Sequence, residues 1–230
     1  MHALIAFDLD GVLYTSEPFL GAAYREAIAN VNARRPGSFP RVPETREILD
    51  QVGWPVPVIL ARLFPTVDPI AVELLLAETL PVIGRRVARG EGILFPGVSD
   101  TLALLQRTGC TLAVASNGRR HYVETVLATY DLARHFTELV SIDGNGCVGS
   151  KADILRAYLA REHCVPAALV MVGDRASDVE AAQAVGCHFV GCDYGHGYRE
   201  EIAGAGPVVA SFAVLPPVIA AVLSNQQTAG

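Results

Sequence analysis

Apolar residues in this chain follow two rhythms. In the second half, short runs rich in Val, Leu and Ala end on glycine or a polar residue: "TLAVASNG", "ELVSIDG", "ALVMVGDR", "CHFVGCD" and "PVVAS". The amino-terminal "MHALIAFDLDGVLYTS" opens with a run of the same kind. Continuous apolar runs of this length predict strands buried on both faces. Between them, apolar positions at helical spacing predict helices over Val98–Gln106, His121–Tyr130, Ala152–Glu162 and Ser177–Val185. Strands alternating with helices require crossovers onto a mostly parallel sheet, so the expected core is a doubly wound α/β fold.

Residues 15–91 change rhythm, because strand-like runs vanish and helical periods take over. "SEPFLGAAYREAIANVNA" predicts a helix capped by Ser16, with Phe19, Ala23, Ala27 and Val31 on one face. "PETREILDQV" predicts a second helix with Pro43 as its first residue. "DPIAVELLLAETLPVIGRRVARG" predicts a third from Asp68, kinked or broken at Pro81. "RRPGSFPRVP" is a loop by its proline and glycine content, and "GILFPGV" is the way back to the core. The expected organisation is an α/β core domain of residues 1–14 and 92–230, carrying an inserted α-helical domain of residues 15–91. No internal repeat or low-complexity tract is present.

Composition narrows the classes. With 230 residues, 51% of them hydrophobic, the chain can bury a sizeable core. A net charge of -6 and the lack of any basic run exclude a nucleic-acid backbone binder. Cys110, Cys147, Cys164, Cys187 and Cys192 are scattered, with no C-x-x-C pair, and read as reduced, buried thiols. Asp8 and Asp10 interrupt the only candidate secretory segment. "FAVLPPVIAAVL" is too short for a bilayer and is broken by Pro216 and Pro217. A soluble, cytoplasmic protein without a membrane partner is expected.

The candidate chemistry lies just after the apolar runs, because an open parallel sheet binds ligands beyond the carboxyl ends of its strands. The first run ends in Asp8 and Asp10, "TLAVA" in Ser116 and Asn117, and "ALVMVG" in Asp174 and Asp178. Lys151 opens the helix after "LVSIDGNGCVGS". Four carboxylates facing one lysine repel one another unless a cation sits among them. Oxygen donors without nearby histidine or cysteine select Mg²⁺ over zinc or copper. Such an ion would let an anionic carboxylate approach an anionic phosphate.

"DLDGV", "SN", a lysine and "GDRASD", in that order and with those gaps, resemble the haloacid dehalogenase-like superfamily, mostly Mg²⁺-dependent phosphatases. "PGVSDTLALLQRTGCTLAVASNG" and "VGCDYGHGYREEIAGAG" are similar to its phosphoglycolate phosphatase-like members, and the helical insert resembles their small C1-type cap in placement and length. The resemblance implies a Rossmann-like core and assigns roles. Asp8 would be the nucleophile that carries an aspartyl phosphate, and Asp10 the acid and then base. Ser116, the Asn117 backbone and Lys151 would hold the transferring oxygens. Asp8, the Asp10 carbonyl and Asp174 would bind Mg²⁺, with Asp178 supporting or completing that shell. Two positions depart from the common pattern, Val12 for threonine and Ala152 for proline, and neither removes a reacting group.

Plainer readings compete residue by residue. Acids at strand ends are often helix caps, Asp178 above all, and Ser116 and Asn117 could cap a helix from near Arg119. "DGNGCVGS" mimics a calcium loop but has Ile154 where a bidentate glutamate belongs, so a turn-rich loop or hairpin is expected. "YGHGYRE" lacks the full dinucleotide fingerprint. Trp54, Arg25 and Arg62 are the candidate specificity residues of the insert, although Trp54 also fits mere packing.

The expected activity is hydrolysis of a small phosphorylated metabolite, of the phosphoglycolate, sugar or nucleotide monophosphate kind, by a monomer or homodimer. The cap is expected to close over the core. One rival is a β-phosphoglucomutase-like phosphomutase, disfavoured because residues 15–91 contain no histidine. Another is a receiver-like module that accepts phosphate on aspartate, disfavoured by the insert and by Asp10.

Overall fold

The structure is a computed structural model and describes residues 3–143 and 149–224. The chain divides into two compact units, Met1–Tyr14 with Leu94–Gly230, and Thr15–Ile93. Strand β1 (Leu4–Phe7) is buried throughout, and a turn through Gly11 leads to β2 (Tyr14–Thr15).

The helical unit comprises α1 (Glu17–Arg34), α2 (Thr45–Leu49), α3 (Val56–Leu63) and α4 (Pro69–Ala88). Helix α1 follows Ser16, but that serine's side chain makes no capping bond. Helix α2 begins at Thr45, two residues beyond the expected first residue Pro43, because Glu47 accepts from the Glu44 N–H at 2.8 Å and makes Glu44 the cap. Helix α3 was not singled out by the sequence pattern; its prolines mimic a loop, yet Pro57 sits in the first turn, where a missing N–H costs nothing. Asp68 caps α4 by accepting from the Ile70 N–H at 3.2 Å. Where a kink or break is expected at Pro81, the helix runs on without a break. Helix α4 packs along α1 through buried Ala71, Leu75, Thr79, Val82 and Val87, and this burial outweighs one lost backbone bond.

Strand β3 (Ile93–Leu94) pairs with β2. Then come α5 (Val98–Arg107), β4 (Thr111–Val114), α6 (Arg120–Thr129), α7 (Lys151–Arg161) and β5 (Leu169–Gly173). The chain continues with α8 (Ala176–Val185), β6 (His188–Cys192), α9 (Arg199–Ile202), β7 (Val208–Val209) and α10 (Leu215–Ser224). Five parallel strands lie in the order β4-β1-β5-β6-β7. Alternate residues serve opposite faces of the sheet. Leu4, Ala6, Leu169 and Met171 join Ile154, Leu155, Tyr158, Ala181 and Ala182 of α7 and α8. On the other face Phe7 meets Phe212 at 5.5 Å and Phe136 at 6.3 Å.

"ELVSIDG" is not a strand within its described residues, 138–143. Side chains take the bonds a ladder would have used: the Val140 N–H donates to the Tyr158 hydroxyl at 2.9 Å, and Arg120 donates to the Leu139 carbonyl at 2.6 Å. Residues 144–148, with Cys147 and most of "DGNGCVGS", lie outside the described residues. The last apolar stretch is divided between a short 3₁₀ helix at Phe212–Val214 and α10, whose first turn holds Pro216 and Pro217. Of the four described cysteines, only Cys192 is fully buried. No helix among the described residues is long and apolar enough to cross a membrane.

Candidate active site

Strand register builds the site. Phe7 is level with Val114 on one side and Val172 on the other. Asp8 is therefore the next residue out, and Ser116 and Asp174 each follow two residues after their strand partner. The ladder holds past the strand end, with the Asp8 N–H donating to the Val172 carbonyl at 2.9 Å and the Ala115 N–H to the Phe7 carbonyl at 2.8 Å. Chain topology thus turns residues far apart in sequence into neighbours at one sheet edge.

Carboxylate oxygens of Asp8, Asp174 and Asp178 lie within 4.8 Å of one another, and all three residues are buried. Lys151, 4% exposed at the start of α7, is the ammonium among them, 2.5 Å from Asp178 Oδ1 and 3.1 Å from Asp8 Oδ1. Burial works against its charge, but Asp178 and Asp8 outweigh that and raise its pKa, so it stays protonated. Burial raises Asp8 well above the usual carboxylate range, against the pull of Lys151. Burial and the neighbouring Asp178 push Asp174 up to about 7. One ammonium does not neutralise three carboxylates.

The three acids are not equivalent. Asp178 Oδ2 accepts from the Asp174 and Arg175 N–H groups, both at 3.0 Å, while its Oδ1 faces Lys151. It is the third residue of α8 and caps that helix while orienting the lysine. Asp174 Oδ2 accepts from the His196 and Gly197 N–H groups at 2.7 and 3.0 Å, but its Oδ1 is buried without a hydrogen-bond partner. A buried, unpaired carboxylate oxygen beside two further carboxylates fits a hard divalent cation such as Mg²⁺. Asp178, with three donors already, fits a supporting role. Gly11 has φ +88°, and a Cβ there would stand 2.3 Å from Asp174 Oδ2, so only glycine lets the loop after β1 pass this carboxylate.

Asp10 stands apart from that cluster and is half-buried. Its Oδ1 accepts from the Tyr122 hydroxyl at 2.7 Å. Burial lifts it to about 6, despite the lowering effect of Tyr122 and Lys151. Ser116 is buried, and its Oγ accepts from the Gly118 N–H at 3.0 Å; Arg119 rather than Ser116 or Asn117 is the residue before α6. In the helical unit, the Arg62 guanidinium lies over Trp54, 4.1 Å from the ring centroid, and bonds to Gln51 at 3.4 Å. Arg25 is exposed on α1.

Sequence reasoning missed two contributors. The "YGHGYRE" segment is an amide cradle for Asp174, a role invisible because backbone N–H groups carry no residue signature. Tyr122 carries no motif signal inside the predicted helix His121–Tyr130; the one local trace is Gly118, whose missing side chain leaves the space the ring fills.

Comparison with known proteins agrees with this geometry. Residues 2–186 match the haloacid dehalogenase-like hydrolase family. The phosphoglycolate phosphatase of Vibrio cholerae serotype O1 is 32% identical over 216 residues, covering 89% of this chain and 90% of that protein. That of Haemophilus influenzae strain 86-028NP is 29% identical over 211 residues, covering 89% and 91%. A predicted phosphoglycolate phosphatase from Haemophilus somnus 129PT has a crystal structure that superposes with a TM-score of 0.82 at 23% identity, over 94% of this chain and 97% of that one; it speaks for the fold. CbbY from Rhodobacter sphaeroides, crystallised in complex with phosphate, superposes with a TM-score of 0.73 at 25% identity, over 94% and 97%.

Proposed function

Since this chain belongs to the haloacid dehalogenase-like hydrolases, we propose that it is a Mg²⁺-dependent phosphatase that hydrolyses a small phosphorylated metabolite of the phosphoglycolate kind. The observation that carries this reading is the buried triad of Asp8, Asp174 and Asp178 with Lys151 as its one ammonium among the described residues. The relatives' names support the substrate class.

Asp8, Asp174 and the Asp10 carbonyl would hold the ion, with Asp174 Oδ1 the oxygen best prepared for it. Held by these oxygens, Mg²⁺ would supply positive charge that lowers the repulsion between an anionic nucleophile and an anionic substrate. An Asp8 oxygen forms the new bond to phosphorus as the ester P–O bond breaks. The leaving oxygen takes that electron pair and a proton from Asp10. Water then attacks the phosphorus of the aspartyl phosphate, giving its proton to the Asp10 carboxylate, and the electron pair of the broken P–O bond returns to Asp8. An acid near 6 suits both halves of that cycle close to neutral pH. Ser116, the Asn117 backbone and Lys151 supply donors for the transferring oxygens. Substrate choice is assigned to the helical unit, with Trp54, Arg62 and Arg25 as its candidate contacts. A reducing, cytoplasmic setting fits the scattered cysteines.

The test is a panel of phosphorylated metabolites, 2-phosphoglycolate among them, assayed for phosphate release with and without Mg²⁺. Wild type should release phosphate only with Mg²⁺, and Asp8→Asn should lose at least ~10³-fold in kcat/KM. Equal rates for the two proteins would remove Asp8 from the mechanism.

A further inference from the structure

Tyr122 has no part in the scheme above, yet its hydroxyl is the side-chain donor placed on Asp10, 2.7 Å from Oδ1. We propose that Tyr122 is a positioning residue for the acid step: by donating to Oδ1 it holds the Asp10 carboxyl in one orientation and leaves the proton to Oδ2, the oxygen that serves the leaving group. This inference rests on the phosphatase reading.

Three observations carry it. The first is chemical. A carboxylic acid holds one proton, and a hydroxyl that donates to Oδ1 makes that oxygen an acceptor, so the proton sits on Oδ2.

The second is steric. Tyr122 is the third residue of α6, four residues beyond Gly118 in the turn that precedes the helix. A Cβ on Gly118 would stand 2.9 Å from Tyr122 Cδ1 and 3.3 Å from Ser116 Oγ, so the missing side chain lets the ring lie against the Ser116–Gly118 turn.

The third is rigidity. Arg120 fixes the start of α6: its N–H donates to Asp143 Oδ1 at 2.8 Å and its guanidinium to the Leu139 carbonyl at 2.6 Å and to Glu124 at 2.9 Å. A half-buried aspartate is thereby held by a ring on a pinned helix. Holding a proton donor in reach of its target is worth rate only where the leaving group needs the proton.

The experiment compares Tyr122→Phe with wild type on an alkyl phosphate, whose leaving alkoxide needs protonation, and on p-nitrophenyl phosphate, whose leaving phenolate does not. The expected result is a kcat lower by ~10-fold on the alkyl ester and by under ~3-fold on the aryl ester. In an Asp10→Asn background the same change should cost nothing further, since Tyr122 acts through Asp10. Equal slowing on both esters, or an undiminished effect beside Asp10→Asn, overturns the inference and leaves the phosphatase reading standing. A wild type that releases phosphate from neither ester removes both.

Discussion

At the residue scale, two aspartates four positions apart do different work, and the same substitution should separate them. Asp178 accepts from two backbone N–H groups and from Lys151, so an asparagine there must turn its NH₂ toward a donor, whichever way it faces. Asp178→Asn is expected to lose about 3–5 kcal/mol in denaturant unfolding, as when one partner of a buried ion pair is removed. Asp174 is the reverse case. Its Oδ2 serves two N–H groups that an asparagine oxygen would serve equally, and its Oδ1 has nothing to lose. Asp174→Asn should therefore match or exceed wild-type Tm without metal while losing the Tm increase caused by Mg²⁺. A metal-free Asp174→Asn protein much less stable than wild type would show that the carboxylate is structural.

At the element scale, the chain after β4 shows how side chains replace a ladder. Residues 138–143 have the apolar content of a strand but hang on α7, where the buried Tyr158 hydroxyl donates to the Val114 carbonyl at 3.0 Å while accepting from the Val140 N–H at 2.9 Å. One hydroxyl thus joins the end of β4, the following segment and a helix. Tyr158→Phe keeps the ring packing and leaves two backbone groups unsatisfied, for an expected loss of about 1–3 kcal/mol. Hydrogen exchange should locate the damage, with faster exchange at the Val140 amide and little change in β5. Unchanged Val140 protection would mean that something else holds this segment.

At the scale of the whole molecule, the carboxylates couple stability to pH and to metal. Burial raises Asp8, Asp10 and Asp174 in the folded protein, the latter two to about 6 and about 7, from an ordinary value of 3.8. Between those values the folded state binds protons that the unfolded chain has already released, so stability falls as pH rises. The metal-free protein should lose at least ~5 °C in Tm from about pH 5 to about pH 8. Saturating Mg²⁺ should restore most of it at the upper pH and little at the lower, where protons occupy the same oxygens. A Tm that ignores Mg²⁺ at pH 8 would count against a cation at this cluster.

What the sequence determined by itself was most of what is local and periodic, with α3 and its loop-like prolines the exception. Apolar runs placed β1, β4, β5 and β6, helical spacing placed α5 to α8 within a residue or two, and the polar residues ending each run marked the chemistry, because burial and backbone geometry write directly into residue order. Tertiary structure alone decided what depends on partners distant in the chain. It turned "ELVSIDG" away from the sheet, kept α4 whole across Pro81, gave Lys151 to Asp178 and Asp8, and set Tyr122 against Asp10. None of these leaves a local pattern, since each is fixed by which long-range group satisfies a backbone bond, fills a space or balances a charge once the parallel strands have come into register.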